Sequence, residues 1–181
     1  MEAHAHWTTE DWHAVIFSDE SKFKLFGLDG HQYCWRTPGQ EFDAKFTKKV
    51  VKHGGGSIMV LGRLTTNGPG CIVRIEGNMD TELYIQILND DFLGTLQNLE
   101  IKKKDVYFQH DNDPKHTSKC ATEWCCKNKV DTLTWPPNSP DMNIIEHAWN
   151  YLDHRVYTCT PLPQNIGTSW EALVEEWGHI D

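Results

Sequence analysis

Short apolar segments that lead into acidic residues recur along the chain. Residues 14–18 lead into Asp19, and residues 106–108, β-branched or aromatic, lead into a polar stretch that contains Asp111. Both segments predict buried strands, because neither contains a breaking residue. Open α/β sheets place their sites at the carboxyl ends of strands, so Asp111 is predicted to lie at the mouth of a sheet.

The rest of the pattern alternates between strands and helices, separated by turns rich in Gly, Asn and Pro, such as the turn predicted at residues 67–70. The predicted strands are residues 14–19, 23–26, a return strand around 33–35, 57–64, 71–75, 106–110 and 130–135. The predicted helices are residues 81–96, 118–128 and 142–157, with one capped turn at 7–12 and a last helix beginning at a capping box of Thr168 and Glu171.

The helix predicted over 142–157 brings in a third acid. Its apolar stripe of Ile145, Trp149 and Leu152 faces the core, and Glu146 lies beside that stripe. Three acids at the edges of regular elements suit a pair of divalent ions, because Mg²⁺ takes oxygen ligands and a metal pair activates an attacking oxygen. The candidate set is Asp19, Asp111 and Glu146.

The residues alone leave other roles open for these acids. The polar stretch could be only a turn with Asp113 and Pro114 at its corner, because these residue types are common in turns. Strand alternation sends Asp19 and Glu20 to opposite faces, so only one of them can join a site directly, and spacing does not choose between them. Asp141 could cap the following helix.

Four segments, in this order along the chain, closely resemble the catalytic domain of Tc/mariner transposases. The 34 residues between Asp111 and Glu146, with glutamate as the third acid, resemble the Tc-like branch. The resemblance extends over about residues 12–177. The segments are FSDESKF at 17–23, VKHGGGSIMV at 51–60, QHDNDPKHTS at 109–118 and WPPNSPDMNIIEHAW at 135–149.

The resemblance implies an RNase H-like α/β fold: a mixed five-stranded central sheet flanked by helices, with a Gly-rich loop insertion. It implies a two-metal-ion enzyme that cuts DNA at transposon ends and inserts them at TA sites. Asp19, Asp111 and Glu146 are then the catalytic residues and the ligands of two Mg²⁺ ions, for which Mn²⁺ can substitute. Double-stranded DNA is the implied partner, a homodimer the implied synaptic assembly, and the nucleus the implied location.

The chain departs from the family pattern at two places, which are Leu61, where the family often has Trp, and the residues before Glu146. Asn143 and Glu146 flank two isoleucines where the family has Asn-Pro-x-Glu, which is expected to loosen the helix start without moving Glu146 far. Nothing in the sequence resembles the family's basic N-terminal helix-turn-helix region, so we expect residues 1–181 to form a single catalytic domain.

Net charge is −9, which is unusual for a protein that acts on DNA, because phosphate contacts need Lys and Arg. Bound Mg²⁺ would reverse the sign of a local acidic cluster. Residues 38–56 are basic and are interpreted as an excursion near DNA and the partner subunit, with a flexible loop as the alternative. The tentative DNA contacts are Gly54, Gly55, Gly56, Lys115 and His116; for the last two, packing between loop and helix is the alternative.

Composition excludes several other classes of protein. The chain has 181 residues and no apolar run near the ~20 residues that a membrane span needs, and the pattern of a signal peptide is not expected at its start. Six cysteines without a Cys-x-x-Cys pair disfavour a zinc ribbon and predict free, buried thiols.

The sequence is also compatible with two other functions. A catalytically silent transposase descendant that binds DNA or serves as a scaffold is disfavoured by the three intact acids and favoured by the lack of an end-binding region. An RNase H-type nuclease would cleave RNA–DNA hybrids but not duplex DNA.

Overall fold

A mixed β-sheet runs through the middle of the protein. The computed structural model describes residues 4, 6–25, 56–136, 139 and 142–180. The strands in these ranges are β1 (Val15–Lys24), β2 (Ser57–Thr65), β3 (Gly68–Pro69), β4 (Val73–Ile75), β5 (Tyr107–Gln109) and β6 (Asp131–Thr132). Their order is β3-β2-β1-β5-β6, and β4 also pairs with β2. β1 is antiparallel to β2 and parallel to β5, which is parallel to β6.

β4 and β6 are shorter than the strands predicted over 71–75 and 130–135. Two further differences concern which residues pair as strands. β1 extends to Lys24, which pairs with Ser57 of β2, so Phe23 belongs to β1 and the separate strand predicted at 23–26 is wrong for its described part. Residues 68–69, predicted as a turn, form β3 because they pair back on the end of β2, which makes six strands in the described ranges. The return strand predicted around 33–35 lies outside the described residues.

The helices are α1 (Thr9–His13), α2 (Thr81–Ile87), α3 (Leu93–Asn98), α4 (Lys119–Asn128), α5 (Ile144–Thr158) and α6 (Ile166–Trp177). A π-helical segment, Leu88–Phe92, joins α2 to α3. The helix predicted over 81–96 is therefore continuous, with a π-helical segment in its middle. The helices predicted over 118–128 and 142–157 are confirmed.

The start of α6 corrects the predicted capping box of Thr168 and Glu171. Asn165 is the N-cap, and its side chain accepts a hydrogen bond from the Thr168 N–H at 2.9 Å. The hydroxyl of Thr168 accepts in turn from the Asn165 N–H at 3.2 Å. Asn is as good an N-cap as Ser or Thr, so the helix begins one turn earlier than the prediction.

Apolar layers cover both faces of the sheet. Val15 and Phe17 pack on the side of α5 and α6, whereas Ile16 packs on the side of α2 and α4. This alternation follows from the period of two along a strand. It sends Asp19 toward α5 and Glu20 toward the opposite layer, so the two acids at this part of β1 serve different faces.

Two predictions from composition can be checked in the described residues. No helix there is both long and apolar enough to span a membrane. Five cysteines are described and all are free thiols, but Cys125 is the only buried one among them. Cys120 and Cys126 are exposed because they lie on the outer face of α4, so the prediction of buried thiols is wrong for them.

Candidate active site

Three acids from three elements line one cleft at the carboxyl edge of the parallel strand pair. Phe17 of β1 pairs with Gln109 of β5. Asp19 and Asp111 each lie two residues beyond that pair, and Glu146 lies in the first turn of α5. All three acids line a cleft of about 330 Å³. The structure therefore brings together the three acids that the sequence predicted.

Asp19 is held from the α5 side of the sheet. The indole N–H of Trp149 donates a hydrogen bond to Oδ2 of Asp19 at 3.2 Å. Burial, followed by the nearby charge of Glu20, raises the pKa of Asp19 to about 6, and Glu146 adds a smaller effect in the same direction. A carboxylate in this environment is costly to ionise until a cation offsets the charge.

Asp111 has the opposite electrostatic environment. His116 Nδ1 lies 2.6 Å from Oδ1 of Asp111, and the Asp113 N–H donates to the same oxygen at 3.0 Å. The hydrogen bond from His116 is the largest cause that lowers the pKa of Asp111 to about 2, outweighing burial. Asp111 therefore favours the ionised carboxylate.

Glu20 lies behind the cleft. Its Oε1 lies 3.1 Å from Nε2 of His116, so the imidazole bridges Glu20 and Asp111. Burial lowers the pKa of His116, but the hydrogen bonds to Asp111 and Glu20 outweigh it and raise that pKa to about 9. His116 is therefore a buried cation between two carboxylates.

The tentative DNA contacts at Lys115 and His116 have protein partners. Lys115 Nζ lies 2.6 Å from Asp113 and 3.5 Å from Glu20. His116 is 5% exposed and both of its ring nitrogens face carboxylates. A phosphate would have to compete with these acids, so the packing role is favoured for His116, and contact of either residue with DNA stays a prediction.

The Gly-rich stretch is described only at its last residue. Gly54 and Gly55 lie outside the described residues. Gly56 has φ +98°, and a Cβ at this position would lie 3.0 Å from Cδ1 of Ile166. Glycine is needed at Gly56 for its backbone angle and for the close approach of α6.

Two buried amide side chains that line the same cleft have polar atoms without a hydrogen-bond partner in the described part of the chain. Gln109 is fully buried, and both its Oε1 and its Nε2 are unpaired there. Oδ1 of Asn143 is unpaired as well. Because buried polar groups are normally satisfied, these amides indicate a cleft built for polar ligands.

Sequence reasoning assigned no site role to Trp149 or Gln109, and it gave His116 as a tentative DNA contact with packing between loop and helix as the alternative. Trp149 was placed in the core stripe of α5, and the indole does pack there while its N–H reaches Asp19. Gln109 carried one signal, a polar residue at the end of an apolar strand. The spacing of Glu146 and Trp149, three positions apart on a helix, places both on one face.

The fold matches that of solved transposase structures. A Mos1 transposase paired-end complex with left transposon end has a TM-score of 0.79 and 18% identity, over 99% of this chain and 52% of that chain. The catalytic domain of Mos1 mariner transposase has a TM-score of 0.68 and 14% identity, over 98% of this chain and 74% of that chain. These similarities confirm the predicted RNase H-like fold.

Sequence similarity is closer to Tc-type proteins. The chain belongs to the DDE superfamily endonuclease family, whose model matches residues 14–162. It is 43% identical over 178 residues to the Transposable element Tcb2 transposase of Caenorhabditis briggsae, covering 98% of this chain. It is 42% identical over 155 residues to the Transposable element Tc1 transposase of Caenorhabditis elegans, covering 85% of this chain. The chain spans 64% and 56% of the lengths of these relatives.

Proposed function

We propose that this chain is the catalytic domain of a cut-and-paste DNA transposase, which cleaves phosphodiester bonds at transposon ends and transfers the freed 3′ ends into target DNA. The observation that carries the proposal is the single cleft lined by Asp19, Asp111 and Glu146. The relatives described as Tcb2 and Tc1 transposases support the class of reaction.

The side chains of the cleft fit a divalent cation. Three carboxylates supply the oxygen ligands that Mg²⁺ and Mn²⁺ prefer. Asp19 is raised in pKa by burial and by neighbouring acids, so a cation in the cleft would relieve that repulsion. Mos1 catalytic-domain structures described as "with Mg" and "with Mn" support the same type of ion. Two ions per site is our inference from the number of carboxylates.

Each acid has a distinct task in this proposal. Asp111 offers an ionised carboxylate whose Oδ1 is fixed by His116. Asp19 offers a second carboxylate that is oriented by Trp149, and Glu146 of α5 supplies the third carboxylate. A pair of divalent ions would supply Lewis-acid stabilisation of the attacking and leaving oxygens of a phosphodiester.

Double-stranded DNA is the proposed substrate. Mos1 relatives were solved as a paired-end complex with a transposon end and as a strand transfer complex, which supports DNA binding by this fold. A homodimeric synaptic complex, insertion at TA and a nuclear location follow from the family and stay predictions.

The test combines metal binding with DNA cleavage. Mn²⁺ is titrated into the metal-free protein by calorimetry, and nicking of supercoiled plasmid is followed in Mg²⁺ or Mn²⁺. The variants are Asp111→Asn and Glu146→Gln, with Asp105→Asn, an exposed carboxylate outside the cleft, as the matched control. Metal catalysis contributes several kcal/mol, so each variant of the cleft should lose more than about 100-fold in nicking.

The alternative functions give different results. Absence of metal binding by the unsubstituted protein, even with DNA present, would favour the catalytically silent descendant. Cleavage of an RNA–DNA hybrid but not of duplex DNA would favour an RNase H-type nuclease. Equal nicking by Asp111→Asn and Asp105→Asn would contradict the proposed site.

A further inference from the structure

We propose that His116 and Glu20 form a hydrogen-bonded support behind the cleft, in which His116 is a positioning residue that fixes the Asp111 carboxylate for metal binding. This inference rests on the proposed function, because it assigns Asp111 to a metal site. It gives Glu20 a role distinct from that of its neighbour Asp19.

The support is built from two short contacts in line. His116 Nδ1 lies 2.6 Å from Oδ1 of Asp111, and Nε2 lies 3.1 Å from Oε1 of Glu20. A carboxylate only accepts hydrogen bonds, so each ring nitrogen acts as a donor. The imidazole therefore connects the loop after β5 to β1 through side chains alone.

The ring is also fixed on its faces and at its backbone. It packs against Tyr84 with ring centroids 4.2 Å apart and against His110 at 5.6 Å. The backbone N–H of His116 donates a hydrogen bond to the Asp113 carbonyl at 2.9 Å. With 5% exposure and contacts on both nitrogens, the ring has one orientation available, so the position of its Nδ1 is set by the core.

This arrangement determines which oxygen of Asp111 is presented. Among the described residues, the hydrogen bonds donated to Asp111, from His116 and from the Asp113 N–H, both end on Oδ1. Oδ2 is the oxygen that these bonds leave for a ligand. The Asp111 side chain is 52% exposed and lines the cleft, so the carboxylate is held from behind and open in front.

A separate cation site made of Glu20, Asp111 and His116 is the competing interpretation, because their ligand atoms lie within 4.8 Å of one another. Two ligands on one tetrahedral zinc lie about 3.3 Å apart, given metal–ligand bonds of about 2 Å. The 2.6 Å between His116 and Asp111 is shorter than that and has the length of a charge-assisted hydrogen bond. The geometry therefore favours the support.

The test uses two amide substitutions of the same residue. The side-chain nitrogen of His116→Asn can take the place of Nδ1 and still donate to Asp111, whereas that of His116→Gln can take the place of Nε2 and reaches only Glu20. Mn²⁺ is titrated into each variant of the 181-residue chain by calorimetry, with thermal unfolding in EDTA as the check on folding. His116→Gln should bind Mn²⁺ about 10- to 100-fold more weakly, and His116→Asn within about 3-fold of the unsubstituted protein.

Both amide variants lose the imidazole ring and keep one amide donor, so the main difference between them is whether that donor reaches Asp111 or Glu20. Equal Mn²⁺ affinities for His116→Asn and His116→Gln would overturn the positioning role. Glu20→Gln, which keeps an oxygen acceptor for Nε2, is expected to retain binding within about 10-fold. Loss of binding in Glu20→Gln as complete as in Asp111→Asn would make Glu20 a ligand and also overturn the inference.

The same titrations separate this inference from the proposed function. If Asp111→Asn binds Mn²⁺ as well as the unsubstituted protein, the proposed function fails together with the inference. If Asp111→Asn abolishes binding while His116→Gln leaves it unchanged, only the inference fails.

Discussion

Trp149 donates its indole N–H to Oδ2 of Asp19 across 3.2 Å, so the helix that contributes Glu146 to the cleft also orients a second acid there. The indole is itself fixed by stacking on Trp177, with ring centroids 4.9 Å apart. The packing of α5 against α6 therefore helps to fix the orientation of the Asp19 carboxylate in the cleft.

Replacing Trp149 by Phe should weaken Mn²⁺ binding by about 10-fold, because an outer hydrogen bond to a ligand carboxylate is removed while an aromatic ring stays. Trp177→Phe is the matched control, since the Trp177 N–H donates to the Gly70 carbonyl at 2.8 Å and not to an acid. Calorimetric titration of both variants checks the prediction. Equal losses of affinity would mean that only the packing matters.

Gly62 is a second point where packing and site meet. A Cβ at Gly62 would lie 2.4 Å from Cη2 of Trp149 and 3.2 Å from Cη2 of Trp177. Gly62→Ala should therefore destabilise the fold by about 1–3 kcal/mol through overpacking and displace the donor to Asp19. Gly94→Ala, on α3 with open space around it, should be neutral or stabilising by up to about 1 kcal/mol. Urea unfolding of both variants measures the difference.

Asp19 should reduce the stability of the metal-free protein at neutral pH. Its pKa rises from 3.8 to about 6 on folding, so the folded state favours the protonated carboxyl. The stabilising contribution is present below pH 3.8 and is lost as the pH rises through about 6. Asp19→Asn should then be more stable than the unsubstituted protein by about 1–3 kcal/mol at pH 7 in EDTA.

The stability difference between these two proteins should shrink toward zero near pH 4. His116 and Asp111 titrate in both proteins, so their contributions largely cancel in the comparison. Denaturant unfolding at several pH values provides the measurement. A difference that does not change with pH would contradict the raised pKa of Asp19.

The isoleucine pair before Glu146 leads to a prediction at Ile144. Ile144 is the first residue of α5 and is 45% exposed, and Asn143 before it has an extended backbone, φ −95° and ψ 96°, outside the α region that a following proline disfavours. Ile144→Pro should stabilise the protein by about 0.5–1 kcal/mol, because the N–H lost at this position has no partner within the helix.

His147→Pro serves as the control for this change, since it falls inside the same helix and should cost about 3 kcal/mol or more. Thermal unfolding checks both variants. Destabilisation by Ile144→Pro would show that the helix start depends on the isoleucine side chain.

Much of the fold could be predicted from local patterns. The strand that carries Asp19, the strand that ends before Asp111 and the helix with Glu146 in its first turn are all marked by apolar residues in the sequence, although β1 continues five residues beyond Asp19. The predicted element bounds are wrong where strand pairing or helix capping sets them. Pairing with β2 extends β1 through Phe23, and Asn165 caps α6 three residues before Thr168.

The sequence by itself determined the elements that carry the candidate acids, because residue type and period are local properties, and the resemblance to a known family selected Asp19, Asp111 and Glu146 among those acids. It also placed the side chains of Asp19 and Glu20 on opposite faces of the sheet, since alternation along a strand needs no tertiary information. Only the tertiary structure decided what each carboxylate touches. The contact between Trp149 and Asp19 joins residues 130 positions apart, and the contact between His116 and Glu20 joins residues 96 positions apart. Contacts over such sequence separations form only when the helices and loops pack on the sheet.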